Sequence, residues 1–161
     1  MIWLRFLPCL LLFGCGYHLV GQGNDAGLIQ SNETIYVQAD QGLGKILSQK
    51  LIRELKKRGY NIIEDANLAG VALHLQHSSE TLVPSAYDST GLAVQYRLMV
   101  QADVSLWRKG EEIWRADRIV TRGDVFASGG PTDIEAQKNT VAKQLYQAWV
   151  RQCLAQLQSG F

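Results

Sequence analysis

The chain has 161 residues, 47% of them apolar and 19% charged, enough for one domain with a real core and too few for two comfortable ones. That balance excludes wholesale disorder, and 16 Lys+Arg against 15 Asp+Glu, a net charge of +1, gives no general attraction for nucleic acid. Only one apolar run is long enough to notice, at the start of the chain, so a polytopic membrane protein is excluded.

That run has a short positive region, with Arg5 as its one charge, followed by the apolar stretch Phe6 to Phe13. This is the layout of a secretory signal. Eight helical residues rise about 12 Å, far short of the ~30 Å hydrocarbon slab, which disfavours a membrane-spanning anchor. The segment Leu12-Phe13-Gly14-Cys15 resembles the lipobox of bacterial lipoproteins. The resemblance implies cleavage between Gly14 and Cys15 and acylation of Cys15, with palmitate-type acyl and diacylglyceryl groups as its only non-protein additions. Each buried methylene contributes about 0.8 kcal/mol, so several chains hold a protein firmly on a membrane. Gly16, where a retained lipoprotein would carry Asp, implies sorting to the outer membrane. Residues 1–14 are thus expected as signal peptide and 15–32 as lipidated end and tether. Residues 33–161 are expected as a single α/β domain. Removal of Arg5 leaves 15 basic against 15 acidic side chains.

Gly21 to Asn32 is Gly-rich and polar, the composition of a tether. Thr34 to Ala39 is β-branched and aromatic and predicts a strand. Ile46, Leu47, Leu51 and Leu55 recur at helical spacing and predict a helix from about Leu43 to Arg58, closed by Gly59. Its Lys45, Lys50, Arg53, Lys56, Lys57 and Arg58 face a single acid, Glu54; such a run is a solvated face or a surface for anionic lipid. A turn region follows Tyr60 to Ile63. Val71 to His77 alternates as a strand, and a loop is expected around Pro84 to Gly91.

From Val94 to Trp107 the even positions are apolar and the odd ones mostly polar, which predicts a strand with one covered face. A turn at Lys109-Gly110 returns the chain along Glu112 to Phe126. If pairing runs unbroken from that turn, Arg97 faces Arg122 and Gln101 faces Arg118. Three guanidiniums would then share the polar face near Asp103, a candidate site for phosphate or carboxylate. The same register turns Arg115 and Asp117 inward, so a bulge is expected there. Ser128 to Pro131 breaks the pattern. Thr132 and Glu135 read as a capping box opening a helix to about Leu157, with Val141, Ala142, Leu145, Trp149 and Cys153 as its apolar stripe. The order β-α-β-β-β-α predicts a two-layer sandwich, a four-stranded mixed sheet with two helices on one face.

Catalytic chemistry is hard to find. His74 and His77, three apart on a strand, are expected on opposite faces and so unable to share a metal; His18 lies in the tether. Gly42-Leu-Gly44-Lys45 lacks the first Gly and the Ser/Thr of a phosphate loop. Cys153 on an apolar stripe reads as a buried, inert thiol. No nucleophile–base signature is present, so neither an enzyme nor a cofactor or metal site is expected.

Cys15-Gly-Tyr-His-Leu-Val-Gly21 resembles the mature start of the LPS-assembly lipoproteins of the LptE family, with Val20 where the family usually has Arg. The element order agrees. The resemblance implies a Gram-negative outer-membrane lipoprotein of the lipopolysaccharide translocon. It would plug the lumen of the LptD β-barrel, assist its assembly, and bind lipopolysaccharide during transport, its domain on the periplasmic side and within the barrel. It marks no ligand residues. Arg97, Arg118 and Arg122 stand as candidate lipopolysaccharide contacts from the strand pattern. Tyr87 and Ser128, in the two Gly/Ser-rich loops 85–91 and 127–131, stand as candidate barrel contacts. A rival reading is an adaptor lipoprotein of another envelope machine, such as outer-membrane protein insertion.

Overall fold

The structure, a computed structural model, describes residues 27–30, 32–127 and 131–160. The expected signal, the expected cleavage site at Gly14 and Cys15, most of the expected tether, and Ser128 lie outside the described residues.

The elements are β1 (Thr34–Ala39), α1 (Leu43–Lys57), β2 (Asn61–Ile62), β3 (Val71–Tyr87), β4 (Ala93–Arg108), β5 (Glu111–Phe126) and α2 (Pro131–Ser159), with a short 3-10 turn at Ala66–Leu68. They form one mixed sheet ordered β2-β1-β3-β4-β5. The α/β class stands, but the sheet has five strands rather than four. The extra one is two residues long, paired in parallel with β1 at Thr34–Asn61 and Ile35–Ile62. Two residues carry no periodicity, so pairing alone reveals it. β1 and β3 are parallel across α1, and β3, β4 and β5 form an antiparallel meander.

Both helices cover one face. From β4 that face receives Leu98, Val100, Ala102, Val104 and Leu106, all fully buried. Leu47, Leu51 and Leu55 of α1 and Ala142, Leu145, Trp149, Cys153 and Leu157 of α2 close the core. Ile46, expected in the stripe of α1, is instead 42% exposed, and Ser48 takes the inward position. α1 ends in a Schellman motif: Tyr60 N–H donates to the Leu55 carbonyl and Gly59 N–H to that of Lys56, with Gly59 at φ 87°. α2 begins at Pro131, so Thr132 sits inside the first turn rather than capping it.

The expected tether also proves partly structural. Leu28 N–H donates to the Leu157 carbonyl, and Ile29 is only 6% exposed within the core. Arg108 at the end of β4 fixes this segment: its Nε and Nη2 grip both oxygens of Glu33 at 3.0 Å, and Nη2 also donates to the Leu28 carbonyl at 2.9 Å. The chain from Cys15 therefore joins the domain at the Arg108 end of β4.

Candidate functional site

Register decides what the uncovered sheet face can do. The Lys109-Gly110 turn forms as expected, both residues at positive φ. β5 then gains one residue on β4 at Ile113, since Leu106 pairs with Trp114 but Trp107 with Glu112. It gains a second opposite Asp103, since Val104 pairs with Ala116 but Ala102 with Ile119. The bulge expected near Arg115–Asp117 is thus real, and there are two. The first turns Arg115 outward, opposite Ser105, where it binds Glu112 through Nε at 2.8 Å and Nη2 at 2.6 Å.

The facing arginines are consequently not observed. Arg97 lies opposite Asp124, its Nε 3.3 Å from that carboxylate, and Arg122 lies opposite Met99. Gln101 pairs with Val120. Arg118 sits in the second bulge at φ 56°, and its backbone N–H, not its guanidinium, donates to Asp103 Oδ1 at 2.9 Å. Arg97 and Arg122 share the uncovered face of the sheet, where one acid, Asp124, offsets the nearer of them.

β3 carries a matching irregularity. His77 and Ser78 stand opposite a single residue of β4, and His77 is at φ 52°. This extra residue reverses the alternation, so His74 and His77 reach the same face. His74 stacks on Trp107 with ring centroids 5.6 Å apart. His77 Nδ1 lies 2.8 Å from Asp103 Oδ2. Burial holds His74 below its ordinary pKa, against a small opposing pull from Glu112. Among the described residues, no three His, Cys, Asp or Glu side chains are grouped to hold a metal ion.

The far end of the β3–β4 hairpin is different in character. β3 runs on to Tyr87, so the expected loop at 85–91 shrinks to the residues between Tyr87 and Ala93, which are themselves paired. Asp88 organises it: Oδ1 accepts from Thr90 N–H at 2.8 Å, Thr90 hydroxyl at 2.7 Å and Leu92 N–H at 3.0 Å. These bonds, the Thr90 hydroxyl foremost, hold the Asp88 carboxyl below its usual range. On this ordered tip Tyr87 is 62% exposed, Leu92 66% and, at the end of β5, Phe126 54%. Burial of such side chains is worth roughly 1.5–3 kcal/mol each, which a partner covering the tip would recover. The Gly/Ser-rich loop pointed to Tyr87; Leu92 and Phe126 were missed because neither breaks a pattern. β4 has 16 residues and spans about 50 Å at 3.2–3.4 Å per residue, which puts the tip and the point where the N-terminal chain joins at opposite ends of one strand.

The cations of α1 are not an even coat. Lys50, Arg53, Lys57 and Arg58 line a cleft against α2. Among the described residues, no helix is long and apolar enough to cross a membrane.

The architecture has known counterparts. An uncharacterized lipoprotein B of Nitrosomonas europaea is similar over 79% of this chain and 83% of its own, at TM-score 0.69 and 15% identity. The rare lipoprotein B of Shewanella oneidensis is similar over 75% and 93%, at TM-score 0.59 and 18% identity. A minor lipoprotein of Acinetobacter baumannii is similar over 79% and 91%, at TM-score 0.61 and 10% identity. At these identities the likeness establishes the fold. No curated relative matches the sequence. The family model described as LptE, Lipopolysaccharide-assembly, matches residues 32–157, the whole span from the Arg108-clamped segment to the last buried turn of α2, and the chain belongs to that family.

Proposed function

We propose that this protein is the lipid-anchored subunit of the outer-membrane lipopolysaccharide translocon. In this reading Cys15 carries the anchor, the hairpin tip seats in the lumen of the LptD β-barrel, and the uncovered sheet face meets lipopolysaccharide in transit. The single observation that carries it is the polarity of β4: the anchored chain joins at one end, and an ordered, exposed apolar tip lies about 50 Å away at the other. A membrane-tethered domain so built holds its sticky end well away from its own attachment, where a second protein can cover it. Arg97 and Arg122 supply forked donors for phosphate on a face no helix covers. Its work is done by shape and attachment rather than by turnover, a reading supported by a stacked His74, a carboxylate-tied His77 and a buried Cys153.

Photocrosslinkers at Tyr87, Phe126 and Ser128 test the placement in cells. The expected product is the LptD barrel from Tyr87 and Phe126. Capture of a different barrel would favour an adaptor of outer-membrane protein insertion, and capture only from exposed positions on α1 would reverse the orientation. Cys15→Ser is expected to yield uncleaved, unacylated protein by mass spectrometry.

A further inference from the structure

The cleft between α1 and α2 encloses about 350 Å³, within the range of small-ligand sites. Lys50, Arg53, Lys57 and Arg58 from α1 and Arg151 from α2 border it against a single acid, Glu54. Glu54 is bound to Lys57 at 2.7 Å, and that bond, with the nearby Arg58 and Arg53, keeps its carboxyl below the usual range. Lys50, Arg53, Arg58 and Arg151 make no ion pair or side-chain hydrogen bond among the described residues. Placing so many cations around one depression is unfavourable without an anion between them. The negative end of α1 offsets only about half a charge. Val150 and Leu154, each 2% exposed, close the bottom of the cleft against the core.

Position narrows the ligand. A neighbouring depression, lined by Ile29, Tyr60 and Leu157, shares Arg58 and Leu154 with the cleft. The cleft therefore opens beside the segment through which the chain leads back to Cys15. From Gly27 to Cys15 the chain, fully extended, reaches at most about 43 Å. Arg97 and Arg122, the proposed lipopolysaccharide contacts, lie on the opposite face of the sheet.

We propose that this cleft binds the phosphodiester headgroup of an anionic phospholipid in the leaflet that carries the anchor. Arg53 and Arg151 would grip the phosphate oxygens, and Gln147 would meet the glycerol hydroxyls. The bound headgroup would fix how the domain stands on its membrane. The inference rests on the lipid anchor at Cys15 but not on lipopolysaccharide binding.

Native mass spectrometry of the mature lipidated chain in neutral detergent tests it, titrated with phosphatidylglycerol, phosphatidylcholine or lipopolysaccharide. One phosphatidylglycerol is expected to bind at least about tenfold more tightly than phosphatidylcholine, a difference of about 1.4 kcal/mol. Lys50→Gln/Arg53→Gln/Arg151→Gln is expected to remove that preference, Arg151→Gln alone to weaken it, and Arg97→Gln/Arg122→Gln to leave it intact. Unchanged binding in both cleft variants would overturn the proposal. So would displacement of the lipid by millimolar inorganic phosphate, which marks a free-anion site, or by lipopolysaccharide at lower concentration, which marks the cleft as part of the transport route. If the wild-type chain binds no lipopolysaccharide but keeps its phosphatidylglycerol, the transit reading fails and this one stands.

Discussion

Asp103 does more than any other polar side chain to shape the sheet. One oxygen accepts the Arg118 N–H in the bulge of β5, and the other pairs with His77 in the bulge of β3. A single carboxylate on the middle strand therefore stabilises two left-handed residues on the strands to either side. Asp103→Ala is expected to cost roughly 1–3 kcal/mol in urea unfolding, with Asp103→Asn between it and wild type, because Asn still accepts from Arg118. The sequence showed Asp103 as an acid near arginines; it could not show that a backbone amide is its partner, since that depends on where the bulge falls. Cys153 was legible, because an apolar helix stripe demands burial. It is fully buried, which pushes the thiol up to about 12 from an ordinary 9.0. The unfolded chain therefore loses this proton first. The thiol's contribution is complete below pH about 9 and declines, by at most about 1.4 kcal/mol per pH unit, as pH rises toward 12. Cys153→Ala is expected to show a shallower fall in stability over that window than wild type, and native Cys153 to resist thiol reagents that label it in urea.

Between elements, the seat of α2 on β5 depends on Gly123. A methyl group there would come within 2.7 Å of Val141 Cγ1, and a β-branched side chain in a helix has little freedom to yield. Trp149 Nε1 donates to the Ile119 carbonyl at 3.0 Å and Thr121 Oγ1 to that of Leu145 at 3.2 Å, so the helix cannot slide to relieve the clash. Gly123→Ala is expected to lower stability by about 1–3 kcal/mol, and Gly123→Ala/Val141→Ala to recover part of it. The apolar stripe of α2 and the alternation of β4 were both readable, because each buries one face only. Gly123 was not, since a glycine in a strand becomes informative only once the element lying over it is known. The continuation of β3 past His77 was hidden for a related reason: Ser78, Ser79 and Glu80 read as the end of an apolar run. Glu80 is accommodated by partners from α2, Tyr146 Oη and Lys138 Nζ, and burial, with the bond to Glu80 second, raises the Tyr146 phenol's pKa.

At the scale of the molecule, the clamp at Arg108 determines where tether gives way to fold. The planar fork grips both Glu33 oxygens and the Leu28 carbonyl together, which an ammonium group cannot reproduce. Arg108→Lys is expected to cost roughly 1–3 kcal/mol and to speed proteolytic cleavage ahead of Thr34 while the sheet stays intact, checked by limited proteolysis with mass spectrometry. Composition placed the tether's end at Asn32 because Gly, Gln and Asn dominate the stretch. Leu28 and Ile29 are its apolar exceptions, and they are the residues that pack. The overall architecture followed from six periodic segments and one right-handed crossover, whereas the opposition between the end where the N-terminal chain joins and the apolar tip emerges only when β4 is seen to run the full length of the domain.

The bulges also bear on how residues are matched between relatives this distant. A residue gained or lost within a strand swaps which side every later side chain faces until the next irregularity restores the count. Between chains sharing 10–18% identity, an ungapped correspondence that crosses His77 or Arg118 can trade a position on the uncovered face for a core one while the letters still look similar. Functional residues on this sheet travel safely only when counted from the nearest bulge rather than from the hairpin turn, and a gap at Asp117–Arg118 in an alignment marks a change of geometry and not a deletion of function.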